Sequence, residues 1–359
     1  MDRVTRPGLK HPGARFPGSA SDPHSVTPLI SVQNRAPGPP RRYRSGQAAC
    51  TTRSGPVRTP EPRLRILIQH HSAYRYGAPA ALGPHQIRLR PASHAKARIE
   101  HYTLKVPDEA QVRWQQDPFG NHVANLAFKK GTRIPALDIQ VELAVDIRPL
   151  NPFDFFLDPR CESVPFAYPP ELSRDLAPFL DRTDPELATG KRFGELLAAL
   201  PASEPTVPFL VAANQLVHGA LRYVIREEPG IWTPEETLAQ GRGSCRDQAV
   251  LLMALLRARG LAARFASGYL VQLADEGMLP DEPKGVSRDV ADLHAWCEVY
   301  LPGGGWIGLD STSGLFAGEG HIPLSATPHP ASAAPITGAV EPCESTLEFS
   351  NVVPRVHAD

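Results

Sequence analysis

The chain has 359 residues with 38 Lys+Arg and 38 Asp+Glu, a formal charge of zero that argues against a whole-protein footprint for nucleic acid or an anionic membrane. That length suggests about two domains of about 150 residues each, enough to bury a core. Its 39 prolines are about twice the usual ~5% share, so much of the chain is expected in turns, linkers or tails; no apolar run approaches the ~18 residues of a membrane-spanning helix.

Charge is unevenly distributed. Residues 1–62 hold ten Lys/Arg against Asp2, Asp22 and Glu61, so this stretch carries +7 and the other 297 residues carry −7. The same stretch holds eleven prolines and shows no apolar periodicity. Such a composition cannot recover the entropy lost on ordering, and 1–62 reads as a disordered, basic, proline-rich tail. It lacks the apolar segment of a secretory signal. The five cysteines, Cys50, Cys161, Cys245, Cys297 and Cys343, are widely spaced and form no CxxC pair. A disulfide framework or zinc ribbon is therefore not expected, and reduced thiols in the cytoplasm are.

Order is expected from about Leu64. Arg63–Gln69 reads as a short strand, followed by a turn around Gly77 and Pro79. Gln86–Arg90 and His101–Val106 alternate polar and apolar residues, and Asp117–Asn121 reads as a tight turn. The clearest strand is Leu137–Ile147, with Leu137, Ile139, Val141, Leu143, Val145 and Ile147 on one face. Short strands at this spacing predict an antiparallel β-sandwich over 63–150. The histidines His70, His71, His85 and His94 lack a partner constellation and read as core or surface residues. Residues 151–206 read as a connector with short helical pieces such as Phe193–Leu200.

The segment from 207 to 325 carries the chemistry. Val207–Val224 reads as a helix, and a second helix starts after Thr233 as N-cap with Pro234 first. Gly241-Arg-Gly-Ser-Cys-Arg-Asp247 then runs into an all-apolar stretch, Ala249–Leu256, expected as a buried central helix ending at Gly260. Cys245 sits where the glycine loop meets that helix. Free N–H groups and the positive end of the dipole favour a thiolate there and can hold an oxyanion. The loop lacks the Lys-Ser/Thr of a phosphate loop. Strands follow over Ala263–Gln272, Asp292–Tyr300 and Gly303–Thr312, the last two joined by a glycine-rich hairpin. His294 supplies a general base and Asp310, sixteen residues later, can orient it, which completes a nucleophile–base–orienter series.

Strand parity sorts the remaining candidates. His294, Trp296 and Glu298 share one face, and Ala295, Cys297 and Val299 the other. Cys297 is thus a packing residue, Trp296 reads either as a roof beside His294 or as a core aromatic, and Asp292 reads as a loop-to-strand turn residue in preference to one that assists His294. Asp247 is expected to bind free N–H groups of the helix start in a supporting role. Gln215 is one candidate for a second oxyanion donor. The acidic loop 274–283 reads as a solvated loop, a gating loop or an accidental calcium site. No cofactor or metal is implied.

Gly243-Ser-Cys-Arg-Asp247, Ala262–Leu270, Leu293-His-Ala-Trp296 and Gly305–Asp310 resemble the bacterial transglutaminase-like superfamily, described as cysteine proteases. Leu82–Pro91 and Trp114–Asn121 resemble the bacterial transglutaminase-like N-terminal region. Asn151–Phe156 and Gly314–Pro323 resemble a subgroup in which this module heads a longer polypeptide. The resemblance implies a Cys245–His294–Asp310 triad on a papain-like core, with 326–359 as a C-terminal extension. It begins near residue 64, so translation is expected to start nearer Val57 or Leu64. The fold class expected is α+β: a β-sandwich-like domain, then a buried helix bearing the cysteine packed on an antiparallel sheet bearing His and Asp. The function expected is a thiol-dependent amide hydrolase of the peptidase or isopeptidase kind. The alternatives are a protein-glutamine amine acyltransferase, acting by cross-linking or deamidation, and a weakly active or inactive module of a larger protein assembly. The expected partner is a peptide or protein substrate, with no nucleic acid and no membrane.

Overall fold

The computed structural model describes residues 64–226, 228–274, 286 and 288–354. The tail read at 1–62 and the acidic loop beyond Ala274 lie outside the described residues. The first strands are β1 (Leu64–Ala80), β2 (Leu82–Ile87), β3 (Arg98–Lys105), β4 (Ala110–Gln116), β5 (His122–Phe128) and β6 (Ile134–Ile147). The apolar face read in Leu137–Ile147 is buried against Ile66, Ile68, Ile87, Leu89 and Leu126. Alternation in β6 therefore fixes register: a one-residue slip would turn every one of these side chains to solvent.

One difference stands out in this part. The turn expected near Gly77 is instead a continuation of β1, which pairs with β6 from Leu64 to Arg75 and resumes at Ala80 after a register shift. The bend is absorbed by a bulge rather than a reversal. The Asp117 turn forms as expected, with Asp117 Oδ1 accepting from the N–H groups of Phe119 and Asn121 at 2.9 Å each, and Gly120 at φ +82°.

The connector carries β7 (Ser163–Val164), α1 (Pro170–Asp175), α2 (Ala177–Leu180), α3 (Lys191–Ala199) and β8 (Glu204–Pro205). Next come α4 (Thr206–Ala220), β9 (Arg222–Tyr223), α5 (Pro234–Gln240), β10 (Arg242–Gly243) and α6 (Cys245–Ala258). The helix read to Val224 stops at Ala220, because Arg222 and Tyr223 pair in parallel with Arg242 and Gly243. The strands β11 (Ala263–Gln272), β12 (Val290–Leu301), β13 (Gly305–Asp310), β14 (Leu315–Phe316) and β15 (His321–Thr327) follow, and form one antiparallel sheet ordered β14-β13-β12-β11-β15.

Helix α6 is the centre of the second core. Residues Ala249 to Leu256 are all buried, packed against Phe209, Leu210 and Ala213 of α4 and against Phe265, Ala295, Cys297, Val299 and Leu309 of the sheet. Each such leucine contributes about 1.5–3 kcal/mol by leaving water, and truncating one to alanine costs about 2–5 kcal/mol. This packing fixes the axis of α6, and so fixes where its first residue, Cys245, stands. The sheet serves both cores, because Tyr269, Val271, Ala291, Ile322 and Leu324 pack with the sandwich.

The C-terminal residues do not merely extend from the core. Strands β16 (Ile336–Val340) and β17 (Ser345–Val352) return to the sandwich, whose two sheets run β17-β1-β6-β3 and β16-β2-β5-β4. Each added strand covers one edge that would otherwise present unpaired backbone groups. Among the described residues no helix is long and apolar enough to cross a membrane.

Candidate active site

The loop before α6 is shaped by close approach. Gly241 closes α5 in the left-handed region at φ +59°. A Cβ on Gly243 would stand 3.1 Å from Cβ of Asp247 and 3.2 Å from Cγ2 of Thr237, so a side chain there would crowd the helix start. Ser244 is the N-cap. Its N–H and hydroxyl both donate to Asp247 Oδ2, at 2.9 and 2.7 Å. Asp247 also accepts from the Trp232 N–H at 2.8 Å and from Arg226 at 2.9 and 3.1 Å. Arg226 in turn stacks over the Trp232 ring, 4.5 Å from its centroid. Burial opposes ionisation of Asp247, but the donors from Arg226, Trp232 and Ser244 outweigh it and hold its carboxyl below the usual carboxylate range. Asp247 is thus a buried clamp on the loop that presents Cys245. The N–H groups of Cys245 and Arg246, in the first turn, have no intrahelical acceptor.

His294 and Asp310 arrive from adjacent strands. The ladder between β12 and β13 runs from Leu301↔Gly305 to Cys297↔Leu309, and just past its end His294 Nε2 lies 3.0 Å from Asp310 Oδ2. The Cys245 thiol stands beside the His294 ring closely enough to favour the ring's charged form. With Nε2 on the carboxylate, Nδ1 is the nitrogen left for sulfur. Burial works against a charged His294, yet the hydrogen bond to Asp310 and the neighbouring Cys245 prevail and push it up to about 10. Burial likewise opposes the Asp310 charge, and the two histidines that face it, His294 and His321, override this and drive its carboxyl far below the usual range. The structure brings the three sequence candidates into one connected chain of contacts, partly open at the cysteine and closed at the aspartate.

The other candidates divide. Trp296 is buried and stacks beside His294, with ring centroids 6.4 Å apart and planes 25° apart. Its indole N–H donates to Glu298 Oε1 at 3.1 Å, and Glu298 pairs with Arg264 at 2.6 Å. Trp296 is therefore a wall held by a buried ion pair. Cys297 faces the α6 core, and burial pushes its thiol well up. Asp292 lies inside β12 rather than in a turn, and its Oδ1 accepts from the Leu293 N–H at 2.8 Å and from Asn351 Nδ2 at 3.5 Å. Gln215 donates its amide to the Gly314 carbonyl at 2.8 Å, which engages it away from an oxyanion role.

Sequence reasoning missed two residues. His321 Nε2 lies 3.2 Å from Asp310 Oδ2. Tyr223, half-exposed, is paired with Gly243 just before the cysteine. Burial first, then the negative charges of Cys245, Asp292 and Asp310, push its hydroxyl up to about 12. The two-residue parallel bridge that sets Tyr223 is too short to leave a sequence pattern. The donor atoms of His294, Asp310 and His321 lie within 4.8 Å of one another, and among the described residues they are the group with metal-ligand character.

Comparison with known proteins finds matches to both parts of the chain. The bacterial transglutaminase-like N-terminal region matches residues 66–146, and the transglutaminase-like superfamily matches residues 199–311. Uncharacterized protein Rv2569c of Mycobacterium tuberculosis (strain ATCC 25618 / H37Rv) is 26% identical over 285 residues, covering 77% of this chain and 87% of the relative. Uncharacterized protein ML0607 of Mycobacterium leprae (strain TN) is 25% identical over 293 residues, covering 76% and 92%. A solved structure from Cytophaga hutchinsonii, described as a "putative cysteine protease", is similar in fold with a TM-score of 0.58. That likeness is at 19% identity and covers 83% of this chain and 93% of the other.

Proposed function

We propose, from the premise that this chain belongs to the transglutaminase-like superfamily, that it is a thiol-dependent amide hydrolase of the peptidase or isopeptidase kind. The observation that carries the reading is the contact series from the Cys245 thiol through the His294 ring to Asp310, with Nε2 and Oδ2 3.0 Å apart. A raised His294 keeps its proton at neutral pH, so the ring beside the sulfur is the acid that a departing amine needs.

In this reading the Cys245 sulfur adds to the amide carbonyl carbon, and the C=O π pair moves onto oxygen. The first-turn N–H groups of α6 stand at the end of the helix where developing negative charge is favoured. The C–N bond then breaks, and the leaving amine takes the proton from His294. Asp310 holds the ring through this exchange. Water next attacks the thioester, His294 accepts one of its protons, and the C–S bond breaks to restore the thiolate and free the carboxylic acid, which loses its remaining proton to solvent. The substrate in this account is a peptide or protein amide.

An amine in place of water would give acyl transfer through the same thioester. Incubating the protein with a glutamine peptide, with and without a lysine analogue, tests the choice by mass spectrometry. The hydrolase reading expects the acid product in both cases. A dominant amine adduct overturns it in favour of cross-linking, and no product of either kind with any peptide amide overturns both.

A further inference from the structure

Asp310 receives more donors than its bond to His294 requires. Its Oδ1 accepts from the Thr312 N–H at 2.9 Å and from the Thr312 hydroxyl at 2.8 Å, and its Oδ2 accepts from His294 Nε2 at 3.0 Å. A second imidazole reaches the same oxygen, with His321 Nε2 at 3.2 Å. His321 comes from β15, separated from the strand of His294 by β11. The residue on β11 opposite His294 is Gly268, whose missing side chain lets the Trp296 ring pack against β11 beside both histidines.

The other nitrogen of His321 fixes its tautomer. The Gly318 backbone N–H points at His321 Nδ1 from 3.2 Å. A backbone N–H only donates, so Nδ1 is the bare acceptor and the ring proton sits on Nε2, aimed at Asp310. The same contact argues against reading His294, Asp310 and His321 as a metal centre. A neutral histidine that ligates through Nε2 carries its proton on Nδ1 and normally donates it to an acceptor. Here that proton would meet the Gly318 N–H.

We propose that His321 is a positioning residue that shares the Asp310 carboxylate with His294 and so limits how tightly Asp310 holds the His294 proton. The inference rests on the function proposed above only for its consequence in turnover. Thr312 already anchors the carboxylate through Oδ1, so His321 is not needed to place it. What His321 changes is the charge density that Oδ2 offers to His294. An imidazolium held too firmly is a poor acid toward a departing amine. Trp296 keeps the two rings in place, edge-on to His321 at 5.1 Å and stacked beside His294.

Other ionisable groups act on the same pair. Cys245 from α6, Asp292 from β12 and Tyr223 from β9 face it electrostatically. Behind His321 a cavity of about 190 Å³ is lined by His94, Lys96 and the Arg264–Glu298 ion pair, whose charges offset each other. All of these remain in a His321 variant, so a change of His294 titration on removing His321 reports the shared oxygen itself.

The test uses the full chain with ¹⁵N-labelled histidine, as wild type, His321→Ala and His321→Gln. In the wild type at pH 8, ¹⁵N spectra should show His321 protonated on Nε2 and bare on Nδ1. In His321→Ala the titration midpoint of His294 should rise by roughly half to one pH unit, the worth of one hydrogen bond. Glutamine, whose amide N–H can reach Oδ2, should restore it. On a working substrate, kcat should fall roughly three- to ten-fold in the alanine variant with KM unchanged. An Nδ1–H tautomer in the wild type, or a His294 midpoint that stays put or falls in His321→Ala, overturns the proposal. These readouts need no turnover, so failure of the hydrolase reading would leave them standing. The wild-type tautomer decides the matter even if the alanine variant does not fold.

Discussion

Replacing Asp247 by asparagine keeps shape and volume but should cost about as much stability as deleting the side chain. Its two oxygens accept five hydrogen bonds, from Ser244 N–H and hydroxyl, Trp232 N–H and two guanidinium nitrogens of Arg226. An amide offers one acceptor oxygen, and whichever way it turns, its NH₂ faces fixed donors. The Arg226 side chain is only 6% exposed and that of Asp247 is 0%, so the guanidinium keeps its charge without a counter-ion. Breaking such a pair from one side costs about 3–5 kcal/mol. Replacing both partners, as Arg226→Met with Asp247→Leu, should cost less than either single change, since apolar replacement of a buried pair is often near neutral. Urea denaturation of the two single variants and the double variant measures this cycle. The sign with pH also follows. The Asp247 carboxyl is held low in the folded state, so its contribution is present above about pH 4 and lost as pH falls below it. The gap between wild type and Asp247→Asn should therefore narrow from pH 6 toward pH 3. A loss under about 1 kcal/mol in Asp247→Asn, or a double variant as unstable as the sum of the singles, would refute the clamp.

Three further outcomes are expected. Gly268→Ala would put a Cβ 2.2 Å from the Ile322 carbonyl oxygen and 2.6 Å from the Trp296 ring, so it should lower Tm and slow alkylation of Cys245 by moving the wall beside His294; thermal melts and labelling rates check both. Burial lowers His70 to about 4, so between about pH 6.5 and 4 the unfolded chain binds a proton that the folded one refuses. Stability should drop by about 3 kcal/mol over that interval, and His70→Phe should flatten the acid limb in melts run across it. Cys297→Ala should cost about 1 kcal/mol by loosening the α6 core yet leave the alkylation rate of Cys245 unchanged, which peptide mass spectrometry after limited labelling reads directly.

The parts of the fold legible in the sequence are those fixed by local pattern. Period-two alternation in Leu137–Ile147 marked a half-buried strand, and Thr233 as N-cap with Pro234 first marked the start of α5. The all-apolar run after Cys245 marked a buried helix, and the glycine-rich hairpin marked the strands of His294 and Asp310 as neighbours, although the register that sets the two side by side is seen only in the pairing of Val290–Leu301 with Gly305–Asp310. What escaped was set by distant partners. The edge strands β16 and β17 pair with residues more than 240 positions earlier. His321 reaches Asp310 across an intervening strand, and the β11–β15 pairing shifts register between Ser267 and Gly268, which no motif announces. Asp247 was legible as a helix-start residue, but its tie to Arg226 depends on a loop closing back over twenty-one residues.

The central claim is that Cys245 is an activated nucleophile that His294 and Asp310 sustain. The most direct measurement is intact-protein and peptide mass spectrometry after mixing with an activated peptide ester at neutral pH. The account predicts a transient acyl adduct on Cys245 in the wild type, its loss in Cys245→Ala, and much slower formation in His294→Ala with the fold retained. An adduct on Cys161, Cys297 or Cys343 in preference to Cys245, or one that forms as fast without His294, would contradict it.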